Sequence, residues 1–113
     1  MTEKQITNKI IQAINSQDNM WCYKRFGCGH GNNKGMPDIT GISNGIRLEI
    51  EVKDPNRLPS KHREETDIET LLAANLLIAS KLQQYYVKKY KKLGAIAGVV
   101  TSVEEAMYLV GLR

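Results

Sequence analysis

Asp38, Glu51 and Lys53 are the residues of this sequence whose types and spacing best suit chemistry, and all three lie within GMPDITGISNGIRLEIEVK. Side chains alternate between the two faces of a β-strand, so Glu51 and Lys53 project from one face of the predicted strand IRLEIEVK. The Asn44-Gly45 pair before this strand favours a two-residue hairpin turn. That turn fixes the register and predicts that Asp38 lies directly opposite Glu51.

This register places two negative charges, those of Asp38 and Glu51, side by side, and a bound metal ion would neutralise them. It pairs Thr40 with Glu49 and Asp38 with Glu51, and directly opposed β-carbons lie about 4.5–5.5 Å apart. Two carboxylates at that distance are destabilising unless something neutralises them. Mg²⁺ is commonly held by one or two carboxylates together with a substrate phosphate. With Lys53 beside that phosphate, the three residues predict metal-assisted cleavage of a phosphodiester.

A second interpretation of the same residues needs no ligand. Charged outer faces are normal on antiparallel hairpins. Lys53 would then pair with Glu51, and Glu49 would pair with Arg47 or Lys53. The residue pattern by itself leaves both interpretations open.

The motif MPDI…IEVK resembles the signature of PD-(D/E)XK nucleases, with Pro37-Asp38 as its first part and Glu51-Val52-Lys53 as its second. The longer stretches RFGCGHGNNKGMPDITG, LEIEVK and SKLQQYYVKKYKKLGAIAGVVTSVEEA resemble the virus-type replication-repair nuclease domain, VRR-NUC, over nearly the whole chain. The resemblance implies a restriction-endonuclease-like fold and a DNA endonuclease that depends on Mg²⁺ or Mn²⁺. It also implies a homodimer that acts on branched or flapped DNA, including four-way junctions, in phage or bacterial DNA repair.

The resemblance also implies roles for individual residues. Asp38 and Glu51 would be metal ligands, helped by the main-chain carbonyl of Val52. Lys53 would orient or deprotonate the attacking water, or bind the scissile phosphate. Gln83 matches the glutamine of the family and would position the lysine or the water.

Glu3 and Glu49 each have two expected roles under this resemblance. The first helix of the superfamily often supplies an acidic residue to the site, and Glu3 is the candidate here. It is equally suited to a first-turn charge beside the positive end of the helix dipole. Glu49 is expected to be a satellite of the site or a salt-bridge partner, and not a ligand.

One region departs from the family pattern, namely an insertion at about residues 54–79 between the lysine strand and the glutamine helix. Its apolar run LLAANLLIA predicts either a helix packed on the sheet or a dimer interface. The polar run RLPSKHR within it is a candidate neighbour of the site.

Several cations are candidate DNA contacts. Those expected nearest the site are Lys24, Arg25 and Lys34, and Lys81 begins the glutamine helix. The lysines and tyrosines further along that helix form either a phosphate-binding surface or a solvated face whose tyrosines partly fill the core. A zinc site made of Cys22, Cys28, His30 and His62 is disfavoured, because their spacing matches no compact zinc motif.

The composition fits an ordinary globular domain spanning residues 1–113, with 42% apolar and 25% charged residues. A net charge of +4 suits a polyanionic partner without specifying one. No apolar run approaches the roughly 20 residues of a membrane span, and no apolar signal segment is present. These features predict a cytoplasmic protein. Two rivals to a nuclease remain, a non-catalytic DNA-binding module and a dimeric interaction protein.

The elements that must position these residues are predicted in the order α-β-β-β-α-α-β-α, a mixed α/β domain with a central mixed sheet of about four strands. Thr2 with Gln5 and Ser80 with Gln83 match capping boxes at helix starts. The box at Ser80 favours two helices between the third and fourth strands, although one continuous helix remains possible.

Overall fold

A computed structural model describes residues 1–27, 31–58 and 66–112. The elements are α1 (Glu3–Asn15), β1 (Met20–Lys24), β2 (Ile39–Ser43), β3 (Ile46–Val52), α2 (Ile68–Ile78), α3 (Lys81–Lys92), β4 (Ile96–Val100) and α4 (Val103–Leu109), with 3₁₀ turns at Gly31–Asn33 and Pro55–Arg57. The predicted element order and the mixed α/β class are confirmed. Three members of the disfavoured zinc set, Cys28, His30 and His62, lie outside the described residues, as do positions 59–63 of RLPSKHR.

The four strands form one sheet in the order β1-β2-β3-β4. The pairs β1·β2 and β2·β3 are antiparallel, whereas β3 and β4 are parallel. A parallel pair needs a long crossover between its strands, and here the crossover contains α2 and α3. The prediction of a mixed four-stranded sheet flanked by helices is confirmed.

The β2–β3 hairpin has the predicted register. Asn44 and Gly45 have φ values of 50° and 81°, and a type I′ turn requires positive φ at both positions. Thr40 pairs with Glu49 and Ile39 with Ile50. The turn therefore determines which side chains meet across the two strands.

The two faces of the sheet carry different helices. On one face, Leu48, Ile50 and Val52 pack with the isoleucine stripe of α1 and with Ala106 of α4. The capping box of Thr2 and Gln5 begins α1 as predicted. On the opposite face, α2 and α3 cover the β4 side of the sheet, where Val87 packs with Ala97 and Val99. Glu49 and Glu51 belong to this second face, because they alternate with the core residues of β3.

The apolar run in the insertion forms α2, which packs on β4 and α4. Its buried Asn75 donates hydrogen bonds to the carbonyl of Val99 (3.1 Å) and to the carboxylate of Glu105. The prediction that this run packs on the sheet is confirmed, and its role as a dimer interface stays a prediction. None of the helices in the described ranges is both long and apolar enough to cross a lipid bilayer.

A break separates α2 from α3. Ala79 has an extended backbone conformation (φ −78°, ψ 155°). The capping box of Ser80 and Gln83 then begins α3. The alternative of one continuous helix is therefore wrong.

Candidate active site

Asp38 is held against the strand that carries Glu51. It precedes β2 directly, and its Oδ2 accepts a hydrogen bond from the backbone N–H of Val52 (3.1 Å). The two acidic side chains interact directly, since the pKa of Glu51 is raised both by the charge of Asp38 and by a hydrogen bond that protonated Glu51 donates to Asp38. The structure therefore brings together the pair that the hairpin register predicted.

Glu51 is a buried carboxyl group with incomplete partnering. Glu51 is 2% exposed, and its Oε1 has no hydrogen-bond partner in the described part of the chain. Burial is the largest cause that raises its pKa to about 9, followed by Asp38 and, to a lesser degree, by Glu3. Lys53 acts in the opposite direction. In the absence of a further cation, this site favours a protonated Glu51.

Lys53 supplies the positive charge beside this pair. It follows β3, and its backbone N–H donates to the carbonyl of Val100 (2.9 Å). Its ammonium Nζ lies 3.8 Å from Oε2 of Glu51, and only 10% of the side chain is exposed. An ammonium group this sheltered from water interacts more strongly with a nearby anion than one on an open surface.

Gln83 connects the start of α3 to the same carboxylate. Its Oε1 accepts from the backbone N–H of Ser80 (2.8 Å), which completes the capping box. Its Nε2 lies 3.3 Å from Oε2 of Glu51, the oxygen that also faces Lys53. The insertion before α3 has therefore not displaced the glutamine from the carboxylates.

A second buried cluster lies beside the pair and is built on Glu49. This carboxylate is fully buried and accepts from Arg25 Nη1 (2.8 Å), Arg47 Nε (2.9 Å) and the hydroxyl of Thr40. Arg25 also donates to the carbonyl of Pro37 (2.8 Å), the residue before Asp38. Glu49 is thus a salt-bridge partner, one of its two expected roles. The ligand-free interpretation predicted its pairing with Arg47 as one of two alternatives, and it also predicted the Lys53–Glu51 pair that the structure contains.

Arg25 has a structural role that the sequence pattern did not predict. Its guanidinium joins Glu49 to the Pro37-Asp38 segment, and its side chain is 9% exposed. No motif marks this role, because the contact spans 24 residues of chain to Glu49. The prediction that Arg25 contacts DNA stays untested.

The other predicted DNA contacts are distributed unevenly around the site. Lys24 pairs with Ile39, whose side chain lies in the core under α1. Opposed residues share a face, so Lys24 projects from the opposite side of the sheet to Glu51, away from its expected place beside the site. Lys34 and Lys81 are exposed, the first in the approach to Pro37 and the second at the start of α3.

Glu3 lies in the first turn of α1 and close enough for its charge to act on Glu51. Within the described residues, however, no group of three or more His, Cys, Asp or Glu side chains has the geometry to hold a metal ion. Glu3 therefore does not complete a three-carboxylate cage here.

The Asp38–Glu51 pair nevertheless offers oxygen ligands of the kind that Mg²⁺ and Mn²⁺ prefer. Its oxygens are hard donors, one of them is buried without a partner in the described residues, and Asp38 disfavours a second negative charge on Glu51 unless a cation is present. Mg²⁺ needs only one or two protein carboxylates and completes its shell with water or phosphate. Cys22, in contrast, is buried in the core, and burial raises the pKa of its thiol to about 11, which disfavours the thiolate that binds zinc.

The raised pKa of Glu51 predicts how stability depends on pH in metal-free protein. Between pH 4.5 and about 9 the folded chain keeps a proton that the unfolded chain has released. The free energy of unfolding should therefore decrease as pH rises through this range, by at most about 1.4 kcal/mol per pH unit. Urea unfolding in chelator at several pH values measures this slope. Glu51→Gln should flatten it, and an unchanged slope in that variant would assign the effect to other groups.

Known protein families, curated proteins and solved structures were compared with the chain, and none of the three comparisons gave a match.

Proposed function

We propose that this protein is a divalent-cation-dependent DNA endonuclease with a restriction-endonuclease-like fold. The single observation that carries the proposal is the buried carboxyl group of Glu51, which interacts with half-buried Asp38 and has Lys53 at its flank. A protein that only binds DNA gains nothing from burying Glu51 beside a second acidic group that opposes its ionisation. A nuclease gains a cation site next to a sheltered ammonium group.

Each residue has a part in this proposal. Asp38 and Glu51 would hold Mg²⁺ or Mn²⁺, with the main-chain carbonyl of Val52 as a further oxygen. When bound, the cation would supply Lewis acidity at the phosphate and lower the pKa of a bound water.

Lys53 stabilises the negative charge that develops on the phosphate during attack, in a place largely shielded from solvent. Gln83 holds Oε2 of Glu51 from the side of α3. Arg25 fixes the backbone just before Asp38 through the carbonyl of Pro37. Two segments outside the hairpin, the start of α3 and the residue after β1, thus help to orient the two acidic side chains.

The preferred substrates in this proposal are branched DNAs. A single domain of this chain has one Asp38–Glu51 site. Cutting two strands of a junction then takes two copies related by a two-fold axis. A homodimer of this chain is accordingly part of the proposal.

The proposal predicts cleavage that depends on the cation. A labelled four-way junction, a flap and a blunt duplex are incubated with the protein in Mg²⁺, in Mn²⁺ and in chelator. We expect cuts in the branched substrates with either cation and none in chelator. Cleavage that persists in chelator would rule out the cation site. Tight binding without cleavage under both cations would favour a non-catalytic DNA-binding module.

A further inference from the structure

An exposed aromatic surface lies on the same face of the sheet as the carboxylates. Trp21 and Tyr23 of β1 are 57% and 47% exposed, and Ile42 of β2 is 46% exposed. We call these three residues the aromatic patch. The two rings are 5.0 Å apart between centroids and tilted by 41°. The patch is therefore an arranged pair of rings with an aliphatic side chain beside it.

The strand register places the patch next to the site. Tyr23 pairs with Thr40, which pairs with Glu49, so all three share the face of Glu51. Tyr23 is one strand and two residues away from Asp38, roughly 8 Å between Cα positions by ordinary strand spacings. A polymer bound at the carboxylates would pass over the patch within one or two of its units.

One cation, Arg47, flanks the same surface. Arg47 lies across the hairpin from Ile42, and its guanidinium is 4.9 Å from the centre of the Tyr90 ring on α3. Its side chain is 55% exposed, so it remains accessible beside Ile42. Positive charge next to exposed rings on a four-stranded sheet is the combination with which proteins bind single-stranded nucleic acid.

The patch is too small for a stable interface between two copies of the chain. Three side chains at about half exposure offer roughly 300 Å², whereas a stable interface buries about 800 Å² on each partner. Unpaired bases need much less area, because each stacks on a single ring.

We propose that the aromatic patch binds unpaired nucleobases of a DNA strand that leads to the Asp38–Glu51 site. This inference rests on the proposed nuclease function, because that function is the reason for the strand to continue from the patch to the Asp38–Glu51 site. It implies that the substrate has a single-stranded arm beside the bond that is cut. Base stacking on Trp21 and Tyr23 would select that arm over continuous duplex, whose bases are already stacked on each other.

The tryptophan provides a direct test, because Trp21 is the sole tryptophan of the chain. Wild-type protein is titrated with a 12-nucleotide oligothymidine and with a blunt duplex of equal length, in chelator so that no cutting occurs. We expect the single strand to quench Trp21 fluorescence and the duplex to quench it little. Tyr23→Ala should weaken single-strand binding roughly tenfold.

Ile46→Ala is the matched control. Ile46 is an exposed residue of the same hairpin, with 45% exposure, but it shares the face of Leu48 and not that of Glu51. Ile46→Ala should leave the affinity for the single strand within about twofold of wild type. Thermal unfolding of Ile46→Ala and of Tyr23→Ala should be cooperative, which shows that both variants are folded.

Equal quenching by duplex and single strand would overturn the proposal, and so would an equal loss in the two variants. A change from dimer to monomer in Tyr23→Ala on size-exclusion chromatography would assign the patch to a second copy and overturn it too. Quenching by single strands without cleavage under any cation would support the patch and remove the nuclease. Cleavage of branched DNA without such quenching would support the nuclease and overturn the proposed role of the patch.

Discussion

Lys53→Ala should reduce cleavage of branched DNA at least a hundredfold while DNA binding stays close to wild type. The ammonium group of Lys53 lies within 3.8 Å of the Glu51 carboxylate and is mostly buried. Its charge therefore acts in a sheltered environment where water screens it less than on an open surface. Removing one such stabilising group from an active site typically costs about 10²–10³ in rate. Binding depends on many phosphate contacts, so the loss of one sheltered lysine should change it little.

Single-turnover cleavage in Mg²⁺, with binding measured in chelator, separates the two effects. Lys9→Ala is the matched control, because Lys9 is an exposed lysine of α1 and this helix packs on the opposite face of the sheet. A Lys53→Ala variant that cuts at the wild-type rate would show that the site is assigned to the wrong residues. An equal loss in Lys9→Ala would point to overall charge and not to the site.

Glu105→Ala should lower the free energy of unfolding by about 3 kcal/mol or more. The Glu105 carboxylate accepts from the backbone N–H of Thr101 (3.0 Å), from the hydroxyls of Thr101 and Ser102, and from the amide of Asn75. Alanine would leave several of these donors buried and unpaired, and each unpaired group costs about 1–3 kcal/mol. A small domain has only about 5–15 kcal/mol in total, so the loss should be visible as a much lower urea midpoint.

Glu104→Ala serves as the comparison for this variant. Glu104 is the preceding residue in the first turn of α4, but it is exposed. Its loss should change stability by no more than about 0.5 kcal/mol. Similar midpoints for the two variants would mean that the buried network contributes little.

The site pair was predictable because one local rule determines it. Asn44-Gly45 selects a two-residue turn, and the turn alone sets the register that brings Asp38 to Glu51. The capping box at Ser80 is equally local, which is why the start of α3 was also predictable.

Contacts between distant segments were not predictable in the same way. Arg25 reaches Glu49 across 24 residues, and Asn75 reaches Glu105 across 30. Neither pair follows a helical or strand period, so only the packed fold brings them together. Lys24 was misplaced for a related reason, since its face depends on its pairing with Ile39 and not on its closeness to the site in sequence.

The oxygen and the NH₂ group of the Gln83 amide have different hydrogen-bond partners. This determines which hydrogen bonds the side chain can make with a substrate. Its oxygen faces the Ser80 N–H, so the end that points to the site carries only hydrogens. An ammonium group is also only a hydrogen-bond donor, so the NH₂ group of Gln83 cannot form a hydrogen bond with Lys53. It can hold a carboxylate or the lone pair of a water molecule. The capping box in the first turn of α3 thereby determines that the donor end of Gln83 faces Glu51.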